Sequence, residues 1–234
     1  MKRRKANKSK RGNLCINFGI NIFIPAVVMM MFDDWFGISP ELALISALSF
    51  PLGYGVFDLI KEHKWSLFST VGFFSVLITG GIGLLKLPRE WIATKEASVP
   101  MIFFLFIVVS SFSKRTFLEK LLFDENILNS DSVYARLRTE EQKTKLHKVM
   151  LRASIILAFS FLLSAVLNFW LAKIVIRSES GSVQFTKELG RMVALSYPII
   201  VIPCTIVLYY MMHYTVKKLE CLTGLSADEI LNTK

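Results

Sequence analysis

Long apolar runs without a charged residue alternate along this chain with short segments that hold most of the charges. Five runs have about the 20 residues that a helix needs to cross a bilayer. A sixth, residues 41–57, is shorter and is interrupted by Pro51, Gly53 and Gly55. Because helices satisfy their own backbone hydrogen bonds in lipid, the pattern predicts an all-α polytopic membrane protein with six transmembrane helices. The five long runs are Leu14–Phe32, Trp65–Leu85, Ala97–Ser113, Ala153–Ala172 and Met192–Val216.

The Lys and Arg residues predict the orientation of these helices. Positive residues accumulate in the cytoplasmic loops of membrane proteins, and the N-terminal tail has seven of them and no acidic residue. With that tail in the cytosol, cytosolic segments hold three quarters of the 28 Lys and Arg residues, and both termini are cytosolic. The predicted segments are a basic cytosolic tail (1–13), spans one to four (14–113), a cytosolic amphipathic loop (114–152), spans five and six (153–216) and a cytosolic C-terminal tail (217–234).

The net charge of +10 does not indicate a nucleic-acid-binding protein. The basic stretch MKRRKANKSKRG directly precedes the first apolar run, and no RNA-binding motif with interleaved aromatic residues follows it. A tail of this kind lies near anionic lipid headgroups, so we expect membrane lipids as partners and no nucleic acid.

The residue types that carry most enzyme chemistry are scattered. The three cysteines form no CxxC motif, the three histidines form no HExxH motif, and no nucleophile elbow is present. We therefore expect no metal, no cofactor, no catalytic residue and no enzymatic activity.

Spans three and five predict an internal repeat. Both contain small polar residues at related positions, and each is followed by an outer connection that reaches Thr-Lys-Glu, at 94–96 and 186–188, and then by a proline-bearing span. This order favours a repeated hairpin, formed by spans 3–4 and spans 5–6, around an axis along the membrane normal.

The cytosolic loop begins with KRTFLEKLLF, residues 114–123. Its apolar residues share one helix face and its charged residues, Glu119 among them, largely share the other. We therefore predict an amphipathic helix at the membrane interface.

Charged residues gather at the predicted outer ends of spans four, five and six. Charges beside hydrocarbon are costly and usually face the bundle interior or a water-filled cavity. The candidate substrate-binding residues are therefore Lys95, Glu96, Asn168, Glu188 and Arg191, with an ion pair expected between Glu96 and Arg191. The alternative is that each residue only reaches the outer headgroups or closes a helix end.

Two further patterns indicate helix contacts. Asn13, Asn17 and Asn21 recur every four residues and so share one face of the first helix. We interpret them as a hydrogen-bonded seam between helices, worth about 1 kcal/mol per contact, with a conduction path as the alternative. TGGIG, residues 79–83, indicates close helix packing or local unwinding near the outer end of span three, because small residues let backbones approach.

Four stretches carry a resemblance to a known family: LITGGIGLL (77–85), WIATKEASVP (91–100), AFSFLLSAVLNF (158–169) and ELGRMVALSYP (188–198). They resemble a bacterial family of six-span inner-membrane proteins of no established activity, often labelled major-facilitator transporters. More distantly, the chain is similar to the intracellular septation protein A family, associated with cell-envelope maintenance and division-site synthesis. The resemblance implies a role in envelope biogenesis or membrane homeostasis, with envelope-synthesis proteins or a second copy of the chain as partners. It identifies no catalytic residue.

These observations predict a non-enzymatic inner-membrane protein that acts through lipid or protein partners. The alternative is a small transporter whose outer charged residues bind an anionic solute or a lipid headgroup. A transporter needs a water-accessible pocket around those residues, whereas a scaffold can bury them as closed ion pairs.

Overall fold

The computed structural model describes residues 67–113, 115–124 and 127–231, together with residues 39, 42, 44–46, 48, 49 and 53. Within these residues the regular structure is helical, and Leu128 and Leu231 form an isolated antiparallel bridge. The predicted all-α class is therefore confirmed. The predicted first span, with Asn13, Asn17 and Asn21, lies outside the described residues.

Eight helices and one π-helical turn follow in order between Leu67 and Ile230. They are α1 (Leu67–Leu84), α2 (Glu90–Ser110), α3 (Phe117–Asp124), α4 (Ser130–Arg136), α5 (Glu140–Val175), α6 (Val183–Ser196), the π turn (Tyr197–Val201), α7 (Ile202–Thr223) and α8 (Ala227–Ile230).

Three helical stretches within the described residues are long and apolar enough to cross a membrane. They are Glu90–Ser110, Glu140–Val175 and Val183–Thr223, with 21, 36 and 41 residues. Large apolar side chains lie on their surface: Trp170 is 62% exposed and Tyr209 is 73% exposed. Soluble monomers rarely expose broad apolar surface, so these helices are consistent with a membrane protein. The count of six spans stays a prediction.

Two helices, α2 and α5, are longer than the apolar runs that predicted them. α2 begins at Glu90, ahead of the run at Ala97, and the Glu90 carboxylate lies in the first turn, where the helix dipole favours negative charge. The predicted sixth span belongs to a longer helical stretch, in which the π turn with Pro198 joins α6 to α7. Proline lacks the N–H of a regular helix, which accounts for the irregular turn.

The chain separates into two compact units. The first unit contains residues 1–99 and 167–199, and the second contains residues 100–166 and 200–234.

In the first unit, α1 packs closely through its glycines. A Cβ atom added to Gly83 would lie 2.5 Å from Leu44 Cδ2 and 3.3 Å from Phe185 Cε1, and one added to Gly80 would lie 2.9 Å from Leu48 Cδ1. Phe185, on α6, is fully buried. The close packing predicted for TGGIG is therefore confirmed.

In the second unit, a single hydrophobic core joins the loop before α5 to the C-terminal segment. The core contains side chains from the end of α2, α3, α4, the N-terminal half of α5, α7 and α8. Asn129 N donates a hydrogen bond to Ile230 O at 2.8 Å, which fixes the C-terminal segment against the start of α4. The segment that we predicted as a tail is thus part of a packed unit. The fully buried side chains of this core include Leu118, Val133, Met150, Leu219 and Ile230.

The predicted amphipathic helix is α3, but its apolar side chains are buried in the protein. Leu118, Leu122 and Phe123 are each at most 3% exposed and belong to the core of the second unit. Glu119, which we assigned to the polar face, is also buried. The apolar face of α3 therefore packs on protein rather than on the membrane interface.

The Thr-Lys-Glu segments at 94–96 and 186–188 both lie near helix starts, in α2 and α6. Their contacts differ, as described below, and the repeated hairpin stays a prediction.

Candidate functional site

Lys95 and Glu96, on α2, form a closed polar contact in the first unit. Lys95 Nζ lies 2.8 Å from Glu96 Oε1, and it also donates a hydrogen bond to Thr79 Oγ1, on α1, at 2.6 Å. The side chains of Lys95 and Glu96 are only 10% and 22% exposed. Thr79 in turn donates to Ser75 O at 3.1 Å, so the ammonium group is held between two helices.

Glu188, on α6, binds the segment that follows α5. Its Oε2 accepts hydrogen bonds from the backbone N–H groups of Arg177 and Ser178 at 2.8 and 2.9 Å. Its Oε1 accepts one from the Ser178 hydroxyl at 2.9 Å. The residue is 7% exposed, so its carboxylate is used to satisfy backbone donors just beyond a helix end.

The predicted ion pair between Glu96 and Arg191 is not formed. Glu96 pairs with its neighbour Lys95, while Arg191 is exposed and forms no ion pair among the described residues. Asn168, on α5, is half-buried and interacts with another group of the protein.

The two cavities found in the first unit do not include the five candidate residues. Two open cavities in the first unit, of about 350 and 460 Å³, are lined by other residues. Arg89 and Glu90 line both of them; Lys173 and Arg177 line the smaller one. None of the five predicted residues lines either cavity.

Comparison of this chain with known protein families, with curated proteins and with solved structures finds no match. The stretches that carry the resemblance lie mainly in helices: ELGRMVALSYP runs through α6 into the π turn, and AFSFLLSAVLNF lies inside α5. The family resemblance stays a prediction.

A buried acidic centre, which sequence reasoning missed, lies in the second unit around Glu119. Tyr134 Oη donates a hydrogen bond to Glu119 Oε1 at 3.2 Å, and Arg115 Nε lies 3.3 Å from the same oxygen. His147 Nδ1 is 4.0 Å from Glu119 Oε2. Burial, and after it the negative charge of Glu119, raise the pKa of Tyr134 above its ordinary value.

An open cavity of about 400 Å³ adjoins this centre. Its lining residues include Lys143 and Leu146 but no serine, threonine or cysteine. The contacts of Glu119 with Tyr134 and His147 tie α3, α4 and α5 together.

A second cavity in this unit lies between α5 and α7 and has a volume of about 360 Å³. Four of its lining residues are cations and none is acidic. The Tyr214 hydroxyl is buried and has no hydrogen-bond partner among the described residues. The lining residues are Lys145, Lys148, Val149, Arg152, Tyr214, Lys218, Cys221 and Leu222.

Proposed function

We propose that the protein is a six-span protein of a bacterial inner membrane with both termini in the cytosol. It acts without covalent chemistry in cell-envelope biogenesis or membrane homeostasis, through lipid or protein partners. The three candidate membrane helices support this proposal. α1, with 18 residues and no charge, supports a further span.

The proposal of a role without catalysis or transport rests on the contacts of the charged candidate residues, which bind other groups of the protein. Lys95, Glu96 and Glu188 are each engaged with groups of the protein itself, at distances of 2.6 to 2.9 Å. Side chains engaged in this way hold helices and loops together. A site for a passing solute would instead leave its polar groups accessible to water.

The alternative is a small transporter for an anionic solute or a lipid headgroup. The cavity of about 350 Å³ favours it, because Arg89, Lys173 and Arg177 contribute three positive charges to its lining and Glu90 contributes one negative charge. In this alternative Arg89 would contact the solute.

Charge reversal at two pairs of adjacent residues, one within α2 and one at its start, distinguishes the scaffold from the transporter. We would express Lys95→Glu, Glu96→Lys and the double variant in a strain that lacks the native protein, and measure growth under detergent stress together with protein level. As a scaffold, each single variant lowers both readouts and the double variant restores them, since the Thr79 hydroxyl can donate to a carboxylate at position 95.

The matched control is the exposed neighbouring pair, Arg89 and Glu90, whose side chains lie 3.3 Å apart. A scaffold tolerates Arg89→Glu, because an exposed pair is worth little. A transporter loses function in Arg89→Glu while the protein level stays normal, and that result would favour the alternative.

A fluorescent protein fused after Lys234 tests the topology: fluorescence is expected in the cytosol, and export of the fusion would refute the proposed orientation.

A further inference from the structure

We propose that the basic cavity between α5 and α7 binds the phosphate of an anionic phospholipid headgroup. The inference rests on the proposed membrane function in one respect, namely that α5 and α7 cross the bilayer and present this cavity at its cytosolic surface.

Helix periodicity explains how the cavity forms. Lys145, Lys148 and Arg152 are three and four residues apart on α5, so they lie on one face of the helix. Tyr214 and Lys218 are four residues apart on α7 and likewise share a face. The two faces together line one cavity, although 66 residues of sequence separate Arg152 from Lys218.

The charges of the cavity are only partly compensated. Lys145 Nζ pairs with Glu141 Oε1 at 2.8 Å. Lys148, Arg152 and Lys218 form no ion pair among the described residues, and no carboxylate lines the cavity. Gathered positive charges attract an anion, and an Arg guanidinium among them matches a phosphate with two parallel hydrogen bonds.

Tyr214 provides an independent indication of a ligand. Its hydroxyl is buried and lacks a hydrogen-bond partner among the described residues. A buried polar group without a partner is costly to the fold, and native proteins usually satisfy it. After a small rotation of the Tyr214 side chain toward the cavity, a phosphate oxygen there would accept the hydrogen bond of this hydroxyl while the cations balance the charge.

The position of the cavity along both helices favours a lipid over a soluble phosphate. Arg152 directly precedes the apolar run that begins at Ala153, and Lys218 follows closely after the run that ends at Val216. Cations at this boundary lie at headgroup depth. Ile155 and Phe159, on α5, are more than half exposed and offer apolar surface for acyl chains.

The test is native mass spectrometry of the full chain, purified in detergent and offered phosphatidylglycerol or phosphatidylcholine. We expect the wild type to retain phosphatidylglycerol preferentially. The double variant Arg152→Gln/Lys218→Gln should bind it about tenfold more weakly or worse, because two charge-assisted contacts are removed. The control, Lys120→Gln/Lys217→Gln, removes the same charge from exposed residues that do not line the cavity and should bind like the wild type.

Tyr214→Phe provides a second test of the lipid site. It should weaken phosphatidylglycerol binding about threefold or more, since one hydrogen bond to a charged group is lost. Equal binding of the two lipids, or an equal loss in the control double variant, would overturn the proposal. So would binding of inorganic phosphate by a protein that does not retain phosphatidylglycerol.

These measurements use purified protein and do not depend on the envelope phenotype. Loss of lipid preference with normal growth under detergent stress would refute the lipid site alone. Normal lipid preference in a protein whose deletion has no envelope phenotype would refute the proposed function alone.

Discussion

Removal of the Glu188 carboxylate is expected to release the segment after α5 from α6. In the wild type this carboxylate accepts three hydrogen bonds, two from backbone N–H groups and one from the Ser178 hydroxyl. Glu188→Ala removes all three. Glu188→Gln keeps one oxygen, which can still accept the two backbone bonds while the new amide group donates to the Ser178 oxygen.

The surroundings of the Glu188 carboxylate determine how much each substitution lowers the free energy of unfolding. A hydrogen bond to a charged group is worth about 1.5–3 kcal/mol, but Arg177 is exposed and Ser178 is half-buried, so water can replace part of the loss. We therefore expect a cost of about 3 kcal/mol for Glu188→Ala and about 1 kcal/mol for Glu188→Gln. For a chain of this size these costs lower the midpoint of thermal unfolding by roughly 6–12 °C and 2–4 °C.

The assay is thermal unfolding of the purified protein in detergent, followed by tryptophan fluorescence. Glu179→Gln is the matched control, because Glu179 lies in the same segment and is exposed; its midpoint should stay within about 2 °C of the wild type. A Glu188→Ala midpoint equal to that of the control would refute the assigned role, since the segment would then be held by other contacts.

Two more predictions use the same unfolding assay. Gly83→Ala should lower the midpoint, at a cost of about 1–3 kcal/mol from overpacking against Leu44, whereas Gly81→Ala, with no neighbour within 4 Å of its Cβ, should raise it through the higher helix propensity of Ala. Hydrogen bonds from the Ser226 backbone and hydroxyl hold the pKa of Glu229 below 4.5, so its stabilising contribution is present above pH 4.5 and is lost as the pH falls through the folded-state pKa. Glu229→Gln should therefore unfold earlier than the wild type at pH 7, and the difference should disappear in strong acid; a difference that persists there would contradict the assignment.

The apolar runs were enough to locate the long helices. A run of 17 to 25 residues without charge has few alternatives to a helix in lipid, and α1, α2, α5 and α7 each overlap such a run. The helix ends were less predictable, because α2 begins at Glu90 in a charged segment that hydropathy excludes. A favourable helix dipole supports that first turn, and its residues Ile92 and Ala93 are buried.

The contacts that the candidate substrate-binding residues make could not be predicted from residue types. The sequence offered Arg191 as the partner of Glu96, but the adjacent Lys95 takes that place. The partners of Glu188 are backbone N–H groups, which every residue except proline possesses and which therefore leave no signal in the sequence.

In the second unit, the pattern of apolar and charged residues indicated which residues share a helix face, but not how the helices pack. Leu219, Leu225 and Ile230 are apolar residues in a segment that we predicted to be a tail, and their recurrence was a signal for burial. The helical spacing of Lys148 and Arg152 was likewise readable. That Lys218 lies across the same cavity depends on the packing of α5 against α7, which no local pattern specifies.

The shared core of the second unit has a consequence for biosynthesis. Val133 and Met150 leave the ribosome well before Leu219 and Ile230, which cover them in the finished protein. During that interval the apolar side chains of residues 115–152 lack the partners that α7 and α8 supply, and such surfaces attract chaperones or aggregate. Completion of this unit must therefore follow synthesis of α7 and α8, and a premature stop codon early in α7 would leave the rest of the core partly uncovered.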